Sequence, residues 1–427
     1  MSGTRQRCAS CGHELAETDA QVRCPACQGL LEILHARPAV TGAALRARFD
    51  GRRVENAARD SGVWRFLEAV LPTAAREIVS YPEGNTPLLE CPALARWTGL
   101  PRLLLKHEGL NPTGSFKDRG MTVAVTQARR VGATALACAS TGNTGASLAA
   151  YAGLAGLPAL VMVPQGQVAL GKLAQTIAYG ARTLLVRGNF DACLDLAEQA
   201  RVRLGLYLLN SINPFRIEGQ KTIMLELLQQ LDWAAPDWIV LPAGNLGNTA
   251  ACGKALAEAR DWGLITDTPR LAAVQAAGAA PFAASFRERF ARRHRVEPRT
   301  VASAINIGNP ASYDRAVRAI RETNGVVTAV TDAEILEAKA VVDGAGVGCE
   351  PASAASVAGA RQLLRDGVIG REQRVVAVLT GHLLKDPDSV TRYHQQADPR
   401  PAYANPPVEI GPTLGEVERV LRSRDAR

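Results

Sequence analysis

The sequence predicts an α/β protein of two lobes, each built on a twisted, mostly parallel sheet. Three observations predict it. After residue 100, short apolar runs alternate with helical stretches: LLLKH at 103, TALACAS at 134, ALVMVP at 159, TLLVRG at 183, DWIVLP at 237, RLAAVQ at 270 and RVVAVLT at 374. Such alternation lays helices over parallel strands. The chain has 427 residues, 47% of them hydrophobic, which is enough core for two lobes rather than one. Finally, the unusual residues cluster just after apolar runs, at the carboxyl ends of strands, where such folds keep their chemistry.

The N-terminal 35 residues read differently. Cys8, Cys11, Cys24 and Cys27 form two Cys-x-x-Cys pairs separated by twelve residues, with Gly12 and Gly29 permitting tight turns. Two thiolate turns at that spacing can converge on one tetrahedral Zn²⁺ and form a zinc ribbon. Four sulfurs close the coordination shell, so the expected role is structural: the metal staples a segment too small to fold alone. A nucleic-acid-binding ribbon is the competing reading. Only Arg5, Arg7 and Arg23 flank the knuckles, however, and no aromatic residue lies among them for base stacking.

Residues 36–80 read as a helical arm, with Val63, Phe66, Leu67 and Val70 at helical spacing; Pro72, Pro82, Gly84 and Pro87 mark entry to the main body. The net charge of +8 is well scattered. Its densest stretch, FRERFARRHR at 286–295, places Phe286 and Phe290 four residues apart and is expected to be a solvated amphipathic helix, not a nucleic-acid arm. The sequence has no run of about twenty apolar residues, and the polar start MSGTRQRC lacks a signal-peptide core, so a cytoplasmic location and no membrane partner are expected. Cys91, Cys138, Cys193, Cys252 and Cys349 read as reduced core thiols.

Four loops carry the candidate chemistry. In EGLNPTGSFKDRGM at 108–121, Ser115 reads as a helix cap and Lys117 falls in the first helical turn. An amine at the positive end of a helix dipole has its protonated form disfavoured, which suits an imine-forming lysine. The plain alternative is a surface lysine paired with Asp118 or Glu108. In CASTGNTGASLAAYA at 138–152, Ser140, Thr141, Asn143 and Thr144 offer donors at a helix start for a carboxylate, or else form an elaborate cap.

The third loop, LPAGNLGNTAACG at 241–253, lacks the fingerprints of nucleoside-triphosphate and dinucleotide sites. The backbone of Gly244, Asn245, Leu246, Gly247 and Asn248, with the helix dipole behind it, suits a small monophosphate without needing a lysine. The fourth, VLTGHLLKDPD at 378–388, ends its strand at Thr380, which could be only a satisfied buried hydroxyl.

Taken together with EGNTPL at 83, ALGKLAQ at 169, GNFD at 188, NPFRIEGQKT at 213, TVASAINIGNPAS at 300 and EPASAAS at 350, these stretches resemble the threonine synthase family of pyridoxal-phosphate enzymes from about Tyr81 to Asp388. The resemblance implies the two-lobed fold type II shared with tryptophan synthase β. It further implies a large cofactor-binding lobe at 81–108 and 212–394, a small mobile lobe at 109–211, and a tail with a short helix at 395–427. A zinc-ribbon N-terminus also occurs in this group, and a homodimer is common on the scaffold.

By the same resemblance Lys117 matches the Schiff-base lysine, Asn143 the partner of the ring hydroxyl, residues 244–248 the cofactor phosphate cradle and Thr380 the hydroxyl facing the ring nitrogen. The implied reaction converts O-phospho-L-homoserine and water to L-threonine and phosphate by γ-elimination and β-addition. Ser140, Thr141 and Thr144 are candidates for the substrate carboxylate, and Asn213, Arg216, Lys221 and Lys172 for its phosphate. Two departures stand out: Leu383 where the family's LTGHGLKD has glycine, and Gln167 where a basic or aromatic residue is common. Rival readings are a cysteate synthase-like replacement on O-phosphoserine, a threonine or serine dehydratase, and a ribbon protein that binds nucleic acid through its knuckles and carries an inactive body.

Overall fold

The computed structural model describes residues 3–53, 61–166 and 170–423. Three sheets organise it. The smallest is antiparallel and N-terminal, with β1 (Arg5–Cys8) between β2 (Glu14–Ala16) and β3 (Leu31–Leu34). Its strands frame the two cysteine turns. A six-stranded sheet has the order β12 (Val326–Val330), β11 (Arg270–Ala276), β10 (Trp238–Pro242), β13 (Val375–Leu379), β5 (Leu103–His107) and β4 (Leu88–Glu90). All its pairings are parallel except the edge pair of β4 with β5.

The third sheet is four-stranded and parallel, ordered β8 (Arg182–Val186), β7 (Ala159–Pro164), β6 (Leu136–Ala139) and β9 (Tyr207–Leu208). Each of the seven apolar runs read from the sequence contains a strand. β10 and β13 are buried along their whole length, as expected of strands covered by helices on both faces. β4, β9 and β12 were not anticipated: the first two have only three and two residues, too few for alternation to register.

A buried lattice of charges fixes the helix that starts at Lys117 (Lys117–Arg130). Arg119 donates to Glu108 through Nε (2.7 Å) and Nη2 (2.8 Å), and to Glu226 Oε1 through Nη2 (2.9 Å). Glu226 also accepts from Lys106 Nζ at 2.6 Å and Arg65 Nη2 at 3.0 Å. These groups come from β5, from the turn that follows it, from the N-terminal arm and from the helix Thr222–Gln230. Burial raises a carboxyl's pKa, but the adjacent guanidinium and ammonium groups outweigh it and hold Glu226 and Glu108 below the ordinary carboxylate range. Gly120 and Gly219 let the Lys117 helix and the helix Pro214–Gln220 meet backbone to backbone; a Cβ on Gly219 would collide with the Arg119 carbonyl.

Two expectations change. The arm at 36–80 is only partly helical among the described residues: Gly42–Gly51 and Leu67–Val70 are α-helical, with 3₁₀ turns at Trp64–Phe66 and Ala75–Glu77 and residues 54–60 outside the description. Val63, Phe66 and Val70 are nonetheless buried. The helix expected at 286–295 ends at Arg287, where a helix begun at Pro281 stops. Arg289 and Phe290 take positive φ, which turns the Phe290 ring onto Phe282 (5.2 Å between centroids) and Phe286 (5.6 Å). Aromatic clustering overrides the helical spacing there.

The tail carries a helix at Leu414–Ser423, and its connector packs back on the body through Tyr403, whose hydroxyl meets Trp97 Nε1 at 3.1 Å. No helix among the described residues is long and apolar enough to cross a membrane.

Glu226 neutralises three buried cations. Replacing it with alanine should cost about 3–5 kcal/mol, the usual range for breaking a buried ion pair, measured as a lower midpoint in chemical denaturation. A loss of only a few tenths would show that the lattice is incidental.

Candidate active site

The loops at the carboxyl ends of β5 and β13 and the turn at Glu350 are joined by backbone hydrogen bonds. Phe116 N donates to Thr380 O (3.0 Å), His382 N to Gly114 O (2.9 Å) and Glu350 N to Gly381 O (3.0 Å). The Lys117 loop therefore lies against the Thr380 loop. Leu383 fits in a 3₁₀ turn at Leu383–Lys385; Gly348, at φ +72, leaves the space that the leucine side chain fills. Gln167 lies outside the described residues, and so does the side chain of Lys172.

Lys117 is the first residue of its helix, with its N–H 3.4 Å from Ser115 Oγ. The partners that a surface lysine would use are taken. Asp118 accepts from Thr113 N (2.7 Å), Thr113 Oγ1 (2.6 Å) and Ser147 Oγ (2.6 Å), and Glu108 belongs to Arg119. The Lys117 Nζ has no ion pair among the described residues and sits 4.1 Å from the centroid of the Phe116 ring. Desolvation and the nearby Arg216 charge lower its pKa to about 7, against a smaller opposing effect of Glu350. A neutral, nucleophilic amine near neutral pH results.

Asn143 opens the helix Asn143–Ala155, and its Nδ2 donates to both oxygens of Glu350 (3.0 and 3.3 Å), a residue 207 positions away. Glu350 is buried, and desolvation raises its pKa despite the Asn143 amide and the charges of Lys385 and Lys117. This contact fixes which end of the Asn143 amide carries the donors. Ser140 Oγ accepts from Gly142 N (3.3 Å) and Gly145 N (3.1 Å), so it caps the helix; Thr141 and Thr144 stand half-exposed at the same helix start.

On the far side, Ser353 Oγ accepts from Gly381 N (2.9 Å) and lies 3.0 Å from Thr380 Oγ1. Either hydroxyl can be the donor in that pair, and Ser353 Oγ also lies 3.4 Å from Gly381 O, to which it can donate. Neither Glu350 nor Ser353 was singled out from the sequence, although both lie in the landmark EPASAAS.

The loop after β10 turns through Leu246 at φ +63 into the helix Gly247–Asp261, whose first turn holds no acidic residue. Asn245 is spent on structure, donating to Ser211 Oγ (2.6 Å) and accepting from Ala311 N (2.6 Å). Around the helix start several buried polar atoms lack a partner among the described residues: both side-chain heteroatoms of Asn248, Thr249 Oγ1 and Ser312 Oγ. A Cβ on Gly247 would lie 3.9 Å from both Ser312 Oγ and Gln220 Oε1, which places Ser312 at the helix start. Unsatisfied buried donors at a helix N-terminus are what an anion would complete.

Of the residues suggested for a second anion, Arg216 has two unpartnered nitrogens among the described residues. Its guanidinium is buried, with Nη1 donating to Leu209 O (3.1 Å) while Nε and Nη2 have no partner among the described residues. Desolvation lowers its pKa to about 10, with Cys138 opposing, so it stays charged at neutral pH. Two other candidates are corrected. Asn213 caps the helix Pro214–Gln220, accepting from Phe215 N (3.0 Å) and donating to Leu208 O (3.1 Å). Lys221 is fully buried in ion pairs with Glu218 (2.5 Å) and Glu258 (2.6 Å), so its charge is already matched inside the protein.

At the N-terminus, the sulfurs of Cys8 and Cys27 are 3.5 Å apart, Cys11 and Cys24 3.6 Å, and Cys27 and Cys11 3.4 Å. Tetrahedral thiolates on Zn²⁺ at about 2.3 Å need roughly 3.8 Å between sulfurs, so the cage is close to that size. Burial opposes ionisation of Cys8, yet the Cys11 and Ser10 N–H groups overcome it and bring the thiol down to about 6.

Residues 79–381 match the family model described as pyridoxal-phosphate dependent enzyme. The chain is 43% identical over 98% of its length, and 99% of the relative's, to a threonine synthase of Methanocaldococcus jannaschii. It is 46% identical over 90% of its length, and 93% of the relative's, to that of Methanosarcina acetivorans. The chain belongs to the threonine synthase family. The crystal structure of an Escherichia coli threonine synthase superposes with a TM-score of 0.71 over 98% of this chain and 100% of that one; at 17% identity this likeness concerns the fold. The fold is that of type II pyridoxal-phosphate enzymes.

The residues fit the cofactor of the threonine synthase family. The unsatisfied polar groups at Asn248, Thr249 and Ser312 suit its phosphate, Lys117 supplies an unpaired amine, and Thr380 supplies a hydroxyl held by Ser353. A depressed lysine pKa has a signed consequence: between about 7 and the ordinary lysine range the folded protein has released a proton that the unfolded chain keeps, so this group favours folding increasingly as pH rises. Amine-specific labelling of Lys117 in cofactor-free protein should be half-maximal near pH 7, read by peptide mass spectrometry. A midpoint near that of exposed lysines would contradict the desolvated setting.

Proposed function

We propose that this chain converts O-phospho-L-homoserine and water to L-threonine and phosphate. The observation that carries the reading is Arg216: a buried, charged guanidinium with two nitrogens unpartnered, in electrostatic range of Lys117. The cofactor phosphate has its own lysine-free cradle at 244–249. An uncompensated buried cation beside the reactive amine therefore calls for a second anion, which a phosphorylated substrate brings and a dehydratase substrate does not.

Pyridoxal phosphate, when bound, supplies the conjugated system that stabilises negative charge developing at the substrate carbons. The chain's residues do the rest. Lys117 would hold the cofactor aldehyde and, once released, take the α proton at Nζ and return protons at neighbouring carbons. Asn143, its amide set by Glu350, would donate to the ring hydroxyl. Thr380, backed by Ser353, would donate to the ring nitrogen; a neutral hydroxyl does not favour protonating that nitrogen. Backbone N–H groups at Thr141 to Thr144, with the Ser140 cap and the helix dipole, would hold the substrate carboxylate. Arg216, with Lys172 as a candidate helper, would hold the departing phosphate. We assign Zn²⁺ to the four-cysteine cage as a structural ion.

Phosphate release with product identification separates the substrates. Phosphohomoserine should give threonine and phosphate in equal amounts, at a kcat/KM well above that for phosphoserine; preference for phosphoserine would overturn the assignment. Arg216→Met should raise KM for the phosphorylated substrate on the order of 100-fold, since a charge-assisted phosphate contact in a desolvated site is at stake, while cofactor absorbance stays unchanged. An unaltered KM would remove Arg216 from the substrate site.

A further inference from the structure

The reaction leaves a second feature of the Pro214–Gln220 helix unused. Two residues beyond Arg216, Glu218 is buried in a closed ionic cluster with Lys221 (2.5 Å), Lys254 (2.5 Å) and His35 (2.7 Å), and Glu258 pairs with both lysines (2.6 and 3.1 Å). His35, Glu218 and Glu258 could ligate a metal by geometry alone. The two lysines already neutralise the two carboxylates, so the cluster needs no ion.

What remains to be explained is His35, the member contributed by the cysteine-bearing segment. It follows β3, the strand that pairs Leu31 with Cys8 and Leu34 with Arg5. Its ring is buried and hydrogen-bonded at both nitrogens. Nε2 donates to Glu218 Oε2, and Nδ1 lies 3.3 Å from Thr4 Oγ1, which can donate to it. The other end of β3 is held as well: Arg315 donates to Leu31 O, and Arg315 and Arg318 pair with Glu32. The small sheet is thus pinned to the body at the helix carrying Arg216, at Arg315 and Arg318, and at the far end of the Lys117 helix, where Arg130 pairs with Glu17 and Gln127 Nε2 donates to the Glu17 carbonyl (2.8 Å).

The Pro214–Gln220 helix is seven residues long and lies at backbone contact on the Lys117 helix through Gly219 and Gly120. The Arg119 lattice holds the Lys117 helix independently. A loosened Pro214–Gln220 helix would move Arg216 without moving Lys117.

We propose that His35 is a positioning residue that couples the cysteine module to the Arg216 helix, so that metal occupancy at Cys8, Cys11, Cys24 and Cys27 tunes substrate affinity and leaves cofactor capture unchanged. The affinity half rests on the reading of Arg216 as the substrate-phosphate residue; the mechanical half does not. Removing His35 leaves Glu218 with two lysines, so no buried charge is stranded and the fold survives.

The test combines amide hydrogen exchange with steady-state kinetics on the full cofactor-loaded protein, metal-loaded and chelator-stripped, as wild type, His35→Ala and His35→Gln. We expect His35→Ala to speed exchange at residues 214–220 about tenfold and to raise KM for the phosphorylated substrate about tenfold, with kcat and cofactor absorbance within twofold. His35→Gln, which can still donate to Glu218, restores both. Stripping the metal reproduces the alanine phenotype in wild type and adds nothing to it in His35→Ala. Exchange at 214–220 unchanged in both perturbed proteins overturns the coupling. Faster exchange with an unaltered KM overturns the affinity half, and an unaltered KM in Arg216→Met then traces the failure to the reading of Arg216. A parallel loss of cofactor binding shows general unfolding and overturns the proposal outright.

Discussion

The arrangement depends on the Arg119 guanidinium shared between Glu108 and Glu226 in a site closed to solvent. Buried charges are tolerated only when they are paired and fully hydrogen-bonded. Here each carboxylate meets more than one donor, and Lys106 and Arg65 add cations to Glu226. Such a lattice contributes less to net stability than its number of contacts suggests, because desolvation offsets much of the attraction. It does make alternative positions of the Lys117 helix costly, since any shift would strand a charge. The reactive amine, two residues before Arg119, inherits that rigidity.

From this fixed point the site divides its charges. The Lys117 amine is near its neutral form because burial and Arg216 both oppose protonation. In the proposed assignment the helix start at 244–249 would take one phosphate, and Arg216, on a different helix, would take a different anion. Amine and guanidinium would then keep separate tasks although each feels the other's field. Asn143 and Glu350 join residues on either side of the cleft by one hydrogen-bonded pair, whose orientation matters more than its strength.

Much of this was legible in the sequence because it is local. Strand runs, glycine loops and the odd lysine at a helix start are read over a dozen residues, whereas the roles expected of Asn143 and Thr380 came from the family resemblance, since their loops alone also read as a cap and a satisfied hydroxyl. What was missed is tertiary. Glu350 gains its meaning from Asn143, 207 positions distant. Lys221 looked like an anion-binding residue because the sequence does not show that Glu258 and Glu218 enclose it. Asn213 looked free because its backbone partners are set by a cap that only the folded turn creates. Residues 288–295 failed as a helix because Phe290 packs on Phe282 and Tyr313, whose approach no local pattern encodes.

The central claim is that Lys117, which forms an ion pair with no carboxylate among the described residues, is the residue that would hold the cofactor. Borohydride reduction of the reconstituted protein, followed by peptide mapping of the fixed cofactor, tests it most directly. The account predicts one pyridoxyl group per chain, on the peptide that contains Lys117, and none on that peptide in Lys117→Ala. Label spread over exposed lysines, or concentrated on Lys385 or Lys221, would contradict it.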